Sequence, residues 1–431
     1  MNKPLDKFSS TNFTKKELKN TKGRSDDLAL ILTFSGGGTR AAALSYGVLE
    51  KLKNTSVYFD GKNRRLLDEI DLISSVSGGS FTSAYYGLFG DEIFKSFESK
   101  FLKKKIQTEL LKLWLLNPKN WVKLVPAVFG RSDLVAQYYS EKIFNKKTFA
   151  DLRKDAPQLV INATDLSVGK GFAFTPYYFS WICSDLQSFP IGRAVAASSA
   201  VPVLFSPVLL ENHMGECNYS PILWASTKNK NINKRYRRAL DIKKYRNNKD
   251  YAFLHLVDGG VADNLGIRSL LDMVAYHNNS MWDLLKTYGM KKTKKMVFIV
   301  VNASNPAPKH FAKYRNSPST QEIIQSVARV QSNQFNDDTV DYLRNKFLTW
   351  QKQIKQQRCA ENSTPHCSDI KFYLIEVSLN HLKAGYNDFL KDAPTSLELS
   401  DKVVDKLKAS ASQLLDNSSE FHTFLNELKR K

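Results

Sequence analysis

Residues 69–80, with the sequence EIDLISSVSGGS, are the stretch from which the fold of this chain can be predicted. An apolar run ends in small residues around Ser77, and a segment compatible with a helix follows at 81–88. A strand that delivers a serine into a tight turn before a helix exposes a hydroxyl nucleophile at the edge of a sheet. The template for such a turn is G-x-S-x-G. Residues 75–79 match it, except that Ser75 stands in the first glycine position.

The flanking segments predict a doubly wound α/β fold. Residues 28–34, LALILTF, are apolar on both faces, as expected for a buried central parallel strand. A glycine-rich turn follows, and then a helix at 41–53, so that these elements and the strand at 69–77 make a β-α-β unit. Further strands, alternating with helices, are predicted at 158–164, 253–257, 295–302 and 371–379.

A chain of 431 residues can bury one large core, so we expect a single main domain at 28–305. This domain contains a helical insertion at 91–149. Residues 1–27 are polar and rich in lysine, which predicts a flexible basic arm. Residues 306–431 are expected to form a mostly helical C-terminal extension that packs on the same domain and adds the strand at 371–379 to its sheet.

The chain carries 63 Lys and Arg against 42 Asp and Glu, a net charge of +21. Such a charge attracts polyanions, either nucleic acid or a membrane surface rich in anionic lipid. No run of 18 apolar residues occurs, so no transmembrane helix is expected. The first 27 residues lack the hydrophobic region of a signal peptide. We therefore expect a protein that is either cytoplasmic, or secreted or held in the envelope with its signal already removed.

Two basic segments each allow two interpretations. The insertion places Trp114 and Trp121 near a run of lysines, which suits interfacial or lid helices, or else amphipathic helices that cover the core. Residues 228–249 carry ten Lys and Arg against one Asp. They form either a solvated surface loop or a patch for phosphate headgroups.

The four cysteines are too widely spaced to predict a metal site. They include no C-x-x-C pair and do not cluster with histidine, so no zinc site is expected. An even count permits two disulfides, for example between Cys359 and Cys367, and four free thiols are an equal alternative.

To act as a nucleophile in acyl transfer, Ser77 needs a base that takes its proton and donors for the developing oxyanion. The loop at Gly36, Gly37 and Gly38 can supply donors, because backbone N–H groups without side chains can approach a carbonyl at a helix N-terminus. Gly78 offers one more N–H. The competing interpretation of this loop is a phosphate cradle, but it lacks both the dinucleotide-binding spacing and the lysine of a P-loop.

The base can be a histidine or a carboxylate. A Ser-Asp-His triad would place its histidine after Asp258, yet none of the five histidines that follow lies in a suitable loop after a strand. Asp258 itself ends a predicted strand and precedes two glycines. A carboxylate can take the serine proton directly where water is limited and its pKa is raised. A second small-x-Ser-x-Gly pattern, around Ser45, lies inside a predicted helix and is rejected.

Five blocks of the chain together resemble the patatin-like phospholipase family. The segment GGGTR at 36–40 is similar to the family's glycine-rich oxyanion motif, the turn around Ser77 to its nucleophile elbow, and DGG at 258–260 to its D-G-[AG] motif. The segments NATD at 162–165 and ASSAVP at 197–202 are similar to two further blocks. The strong similarity extends from residue 28 to about 266, and the C-terminal part resembles only some bacterial members.

The resemblance implies a three-layer α/β/α fold with a mainly parallel sheet, and a Ser77–Asp258 dyad that works without a metal or cofactor. It assigns two groups of residues: Gly36, Gly37, Gly38, Arg40 and Gly78 to the oxyanion and substrate, and Ser75, Gly79, Gly259 and Gly260 to the supporting turns. Arg40 could also form a local salt bridge. Ser75 departs from the family, which has glycine there because strand and helix pack closely at the elbow.

The function expected from the resemblance is a lipid acyl hydrolase of phospholipase A or esterase type. It would cleave carboxylic esters of membrane lipids through an acyl-enzyme, at an anionic membrane surface. The alternative is a membrane-binding protein on the same fold, whose basic loop and tryptophan segment bind lipid while hydrolysis is weak or vestigial. Nucleic-acid binding rests on net charge alone and is not expected, and the sequence leaves open whether a protein partner exists.

Overall fold

The computed structural model describes residues 1–5, 23–115, 130–202, 204–217, 234–246, 249–304, 315, 319–362, 369–382, 388–391 and 393–429. Their strands are β1 (Leu28–Phe34), β2 (Ser56–Phe59), β3 (Lys62–Arg65), β4 (Ile70–Val76), β5 (Gln158–Asp165), β6 (Lys170–Phe174), β7 (Val208–Glu211), β8 (Phe253–Asp258), β9 (Lys295–Asn302) and β10 (Lys371–Ser378). Their α-helices are α1 (Gly38–Lys53), α2 (Gly78–Phe89), α3 (Ile93–Phe97), α4 (Ile106–Leu115), α5 (Arg131–Lys142), α6 (Pro176–Trp181), α7 (Ile191–Ser198), α8 (Lys234–Arg246), α9 (Arg268–Tyr276), α10 (Met281–Thr287), α11 (Thr320–Asn362), α12 (Asp388–Lys391), α13 (Asp401–Asp416) and α14 (Ser419–Lys429).

One mixed sheet organises these elements. Its strand order is β10-β9-β1-β4-β5-β8-β7, and β6 pairs with β5. The five strands from β10 to β5 are mutually parallel, whereas β8 runs antiparallel to β5 and β7 runs antiparallel to β8. The predicted parallel pairing of β1 with β4 is confirmed, although a β2-β3 hairpin that the sequence analysis missed lies between them in the chain.

Helices cover both faces of the sheet, as the side chains of β10 show. Phe372 stacks on Phe347 of α11 with ring centroids 4.9 Å apart, whereas the adjacent Tyr373 contacts Phe424 of α14 at 5.5 Å. Successive side chains of a strand point to opposite faces, so α11 and α14 lie in different layers. The predicted three-layer α/β/α fold is therefore confirmed.

The described part of the insertion covers the core. Phe101 is buried and stacks on Phe81 of α2 with ring centroids 4.1 Å apart. Ile106 and Leu110 of α4 are buried as well. Of the two interpretations of the insertion, packed amphipathic helices therefore apply to this part. Residues 116–129, which include Trp121, lie outside the described residues.

The basic segment that was predicted as a loop contains the helix α8 instead. Ala239, Ile242 and Tyr245 recur every three residues along one face of this helix, and each is 1% exposed. Tyr245 also donates its hydroxyl to a carboxylate oxygen of Asp165, at 2.9 Å. The dense lysines and arginines around these three positions obscured the periodicity in the sequence. Residues 228–233 and 247–248 lie outside the described residues.

The two described ends of the predicted N-terminal arm contact the domain. The Asn2 side chain accepts from the N–H of Glu211 and donates to its carbonyl, both at 2.7 Å, and so caps the edge strand β7. The N–H of Ser25 donates to a carboxylate oxygen of Glu69 at 2.8 Å. The expectation of a flexible arm over 1–27 therefore does not hold for these ends, and residues 6–22 lie outside the described residues.

Of the two alternatives for the cysteines, disulfides or four free thiols, the structure shows disulfides. Cys183 is bonded to Cys217, a pair that the spacing in the sequence did not single out. Cys359 is also disulfide-bonded, while Cys367 lies outside the described residues.

The contact between α1 and α13 predicts an unusual response to a Gly-to-Ala substitution. A Cβ on Gly47 would collide with the carbonyl of Lys408 and lie 2.8 Å from the Cβ of Ala411. Alanine is ordinarily more favourable than glycine inside a helix by about 1 kcal/mol. We expect Gly47→Ala nevertheless to lower the free energy of unfolding by about 1–3 kcal/mol, because it forces two packed helices apart. Denaturant unfolding measures this change.

The matched control is Gly171→Ala, because the nearest atoms to a Cβ at Gly171 lie 4.0 Å away. This substitution should change the free energy of unfolding by much less than Gly47→Ala. Equal effects of the two would contradict the close packing of α1 on α13.

Candidate active site

Ser77 stands in a strained turn between β4 and α2. Its backbone φ is +48°, a region that residues with side chains rarely adopt and that here requires support from the surroundings. Gly78 and Gly79 provide it by allowing close packing. A Cβ on Gly78 would overlap the carbonyl of Gly38, and one on Gly79 would lie 2.6 Å from the Cβ of Phe34. The turn is therefore pressed directly against β1 and the glycine loop.

The register of the sheet brings Asp258 level with Ser77. Val76, the last residue of β4, pairs with Asn162 of β5, and the next residue of β5, Ala163, pairs with Asp258. The sequence analysis placed Asp258 correctly at a strand end but did not foresee that β8 is antiparallel to its neighbour. Because β8 is antiparallel to β5, it begins beside the C-terminal end of β5 and runs back along it. Its last residue, Asp258, is the one that lies level with Ser77.

The carboxyl group of Asp258 is buried and contacts the serine. It accepts a hydrogen bond from the N–H of Gly260 at 2.7 Å, and the Ser77 side chain favours its ionised form as a second donor. Burial raises the pKa of Asp258 to about 6, and the two hydrogen bonds oppose this shift. The carboxylate is thus ionised near neutral pH but is basic enough to accept a proton.

One short segment at the end of α7 holds both residues from behind. The hydroxyl of Ser198 accepts from the N–H of Ser77 at 2.8 Å and donates to the carbonyl of Asn162 at 2.6 Å. Two residues later, the carbonyl of Ala200 accepts from the N–H of Asp258 at 2.9 Å. This segment therefore fixes the relative position of the two backbones.

The three glycines before α1 differ in what their N–H groups do. The N–H of Gly36 donates to the carbonyl of Asn264 at 3.1 Å. Within the described part of the chain, the N–H groups of Gly37, Gly38 and Gly78 have no hydrogen-bond acceptor. Gly37 and Gly38 have φ values of 137° and 61°, which favour glycine. The N–H groups able to receive an oxyanion are thus those of Gly37, Gly38 and Gly78, and Gly36 serves the packing of the loop.

Arg40, which the resemblance assigned to substrate binding, is directed into the protein. Its side chain is buried, and Nε donates to the carbonyl of Ala303 at 2.8 Å. Nη1 donates to the carbonyl of Ala393, and Nη2 to Oγ1 of Thr395 at 3.2 Å. These partners belong to segments that follow β9 and α12, so the guanidinium connects the glycine loop to distant parts of the chain.

The buried Ser75 is accommodated by a neighbouring hydroxyl. Its Oγ lies 2.6 Å from Oγ of Ser83 in α2, and Ser83 also contacts the carbonyl of Ser80 at 3.2 Å. A serine in this glycine position therefore leaves no unsatisfied polar group. The other supporting glycines are tightly packed, since a Cβ on Gly259 would overlap the carbonyl of Asn162 and one on Gly260 would lie 3.1 Å from Oδ1 of Asp258.

Four of the five described histidines have hydrogen-bonding partners elsewhere, and the fifth, His381, is exposed in the turn that follows β10. The rings of His213, His255, His277 and His422 contact Glu216, Ser167, Met273 and Asp416, respectively. No histidine among the described residues is hydrogen-bonded to Ser77 or Asp258. His310 and His366 lie outside the described residues.

Comparison with known proteins gives the same family as the motifs. Residues 32–271, more than half of the chain, match the family described as patatin-like phospholipase. The chain belongs to this family. No curated protein sequence matches the chain.

Solved structures with a similar arrangement have low identity to the chain. Human GIVD cytosolic phospholipase A2 with methyl γ-linolenyl fluorophosphonate and terbium is 13% identical, with a TM-score of 0.43 over 100% of this chain and 66% of the other. In another structure of that protein, 16% identical with a TM-score of 0.36, the match covers 73% of this chain and 54% of the other. VipD from Legionella pneumophila is 11% identical, with a TM-score of 0.33 over 96% of this chain and 70% of the other. The chain thus spans little more than half the length of the human protein in the second comparison.

The sequence analysis of this patatin-like chain overlooked several supporting residues. Ser198 and Asn162 lie in blocks that carried the resemblance, but neither had an assigned role. Asn264 holds Gly36 through its carbonyl and donates from Nδ2 to Ser304 at 3.1 Å. The only available signal was the similarity of the short blocks, because each of these contacts joins residues that are far apart in the sequence.

Two kinds of feature are absent from the part of the chain that the structure describes. No group of three or more His, Cys, Asp or Glu side chains there could hold a metal ion. None of the helices there combines the length and the apolar character needed to cross a membrane.

The raised pKa of Asp258 predicts a pH-dependent effect of Asp258→Asn on stability. Since the pKa rises from 3.8 to about 6 on folding, the folded state binds more protons between these values, and the wild type loses stability as pH increases through this range. The loss corresponds to about 3 kcal/mol and does not occur in the variant. The free energy of unfolding of Asp258→Asn, minus that of wild type, should therefore increase as the pH is raised from 4 to 7. Denaturant unfolding at a series of pH values measures this difference. A constant difference across this range would contradict the assignment.

Proposed function

We propose that the chain is a lipid acyl hydrolase of phospholipase A or esterase type that uses Ser77 and Asp258 as a catalytic dyad. The observation that carries this proposal is the register of β4, β5 and β8, which brings Ser77 level with the buried carboxyl of Asp258. The pKa of this carboxyl is raised to about 6, and the Ser77 side chain contributes to its environment. A nucleophile in contact with a base of suitable pKa is the minimum that acyl transfer requires.

The proposed reaction has two halves. In the first, the Asp258 carboxylate takes the proton as Oγ of Ser77 bonds to the ester carbonyl carbon. The resulting oxyanion accepts hydrogen bonds from the N–H groups of Gly37, Gly38 and Gly78. Collapse of the intermediate breaks the bond to the alcohol, which leaves with the proton from Asp258. In the second half, water loses a proton to Asp258, attacks the acyl-enzyme and releases the fatty acid, and Ser77 regains its proton.

The family and the net charge together support a membrane lipid as the substrate. Patatin-like proteins act on lipids at the level of the family, and a net charge of +21 favours approach to an anionic bilayer. The arrangement of Ser77, Asp258 and the three glycine N–H groups supports hydrolysis over the alternative of a membrane-binding protein with vestigial activity.

The first test compares Ser77→Ala and Asp258→Asn with a serine control. We expect Ser77→Ala to lower kcat for a soluble carboxylic ester by about 10⁴-fold or more, and Asp258→Asn by about 10²–10⁴-fold. Ser77→Ala should also abolish labelling by a fluorophosphonate probe. The matched control is Ser45→Ala, because Ser45 is also buried and lies in a similar motif, but is placed inside α1.

The outcomes of this test are distinct. Labelling of wild type and of Ser45→Ala, but not of Ser77→Ala, supports the assignment of the nucleophile. Full hydrolysis by either dyad variant, with circular dichroism showing an intact fold, would exclude the dyad. Absence of turnover by wild type on both soluble esters and phospholipid vesicles would instead favour the vestigial alternative.

The pKa of Asp258 also predicts the pH dependence of the reaction. The protonated carboxyl cannot accept the serine proton, so kcat/KM should fall about tenfold per pH unit below about pH 6 and level off above it. Initial rates with a soluble ester between pH 4.5 and pH 8 measure this profile. His277→Gln should retain the same profile. If the fall of kcat/KM below pH 6 disappeared in His277→Gln, the base would be the histidine and not Asp258.

A further inference from the structure

The glycine loop of the site is held by a segment from the other end of the chain. We call residues 393–398 the C-terminal brace. The carbonyl of Ser396 accepts from the N–H of Thr39 at 2.8 Å, and the brace also receives two donors from Arg40, at Ala393 and Thr395. Three successive residues of the chain, 38–40, are therefore in direct contact with this short segment.

The contact at Gly38 is a close backbone approach. A Cβ on Gly38 would overlap the carbonyl of Ser396 and lie 3.0 Å from its nitrogen. On the opposite side, the carbonyl of Gly38 leaves no room for a Cβ on Gly78. The Gly38 residue is thus confined between the serine turn and the brace, and its φ of +61° is kept by both contacts.

The brace also contacts the insertion. Oγ of Ser396 donates to Oε1 of Gln107 at 2.7 Å and accepts from the N–H of Glu398 at 3.0 Å. Oε2 of Glu398 accepts from both the N–H and the hydroxyl of Thr108, at 3.1 and 2.8 Å. The first turn of α4 is therefore anchored on the same segment that holds the glycine loop.

We propose that Arg40 and the C-terminal brace are positioning elements for the oxyanion donors. The buried guanidinium connects the first turn of α1 to Ala303, Ala393 and Thr395. The Ser396 carbonyl accepts from the N–H of Thr39, which would otherwise compete with the N–H groups of Gly37 and Gly38 for an anion. The inference rests on the proposed hydrolase function. In this proposal Arg40 acts by positioning the glycine loop, and it does not contact the substrate.

The energetic reason lies in the steep distance dependence of oxyanion stabilisation. One such donor contributes about 10²–10³-fold to rate in other enzymes, and a displacement of about 1 Å can cost about 100-fold. The planar guanidinium of Arg40 makes three directional contacts from three nitrogens. Lysine cannot reproduce this spread, because its N–H donors all radiate from one nitrogen. Arg40→Lys therefore keeps the charge but loosens the loop.

The test compares Arg40→Lys and Thr395→Val with Lys408→Met. Lys408 is a suitable control because it lies on α13, away from the brace. Like the brace, it connects the C-terminal extension to the insertion, through an ion pair with Glu98. We expect kcat for a soluble ester to fall about 10–100-fold in Arg40→Lys and severalfold in Thr395→Val, with KM changed less than about twofold. Lys408→Met should retain the kcat of wild type.

Hydrogen exchange of the loop gives a second readout that does not need turnover. Peptides that contain residues 35–41 should exchange about tenfold faster or more in Arg40→Lys than in wild type, and remain unchanged in Lys408→Met. Unchanged exchange of this loop in Arg40→Lys would overturn the inference, even if wild type proved inactive. A kcat loss in Lys408→Met equal to that in Arg40→Lys, at equal loss of thermal stability, would also overturn it. Absence of wild-type hydrolysis, with exchange as expected, would refute the proposed function alone.

Discussion

The site depends on the close approach of two β-α turns that follow adjacent parallel strands. The glycine loop follows β1, the turn at Ser77 follows β4, and the carbonyl of Gly38 occupies the space where a side chain on Gly78 would lie. Only glycine at position 78 allows this contact. The contact in turn holds the glycine loop against the serine turn, and it supports the φ of +48° at Ser77.

The second constraint is the burial of Asp258. Removing a carboxyl group from water disfavours its ionised form, and the protein offsets this only in part, with hydrogen bonds from Ser77 and Gly260. A fully compensated carboxylate would be a poor base, and an uncompensated one would be protonated at neutral pH. With two hydrogen bonds, and no cationic partner among the residues that the structure describes, the pKa of Asp258 is intermediate, which is the property that the proposed reaction needs.

The local turns could be predicted from the sequence because a few adjacent residues determine each of them. The serine elbow, the glycine loop and the Asp-Gly-Gly turn each combine an apolar strand with small residues, and all three lie at strand ends in the structure. The features that escaped prediction depend on residues far apart in the chain. The direction of β8, the pairing of Cys183 with Cys217 and the partners of Arg40 each require knowledge of which segments meet, and no local pattern encodes that.

Arg40 illustrates why a motif does not by itself define a role. A basic residue directly after an oxyanion loop invites assignment to a negatively charged substrate, and its spacing from the serine turn gives no reason to doubt it. The structure shows a buried guanidinium whose partners are Ala303, Ala393 and Thr395. A buried arginine with carbonyl partners gains more from these contacts than from a solvated ligand, because leaving the carbonyls unpaired would carry a desolvation cost. The loop that the family similarity covers is therefore supported by residues beyond 271, where that similarity ends.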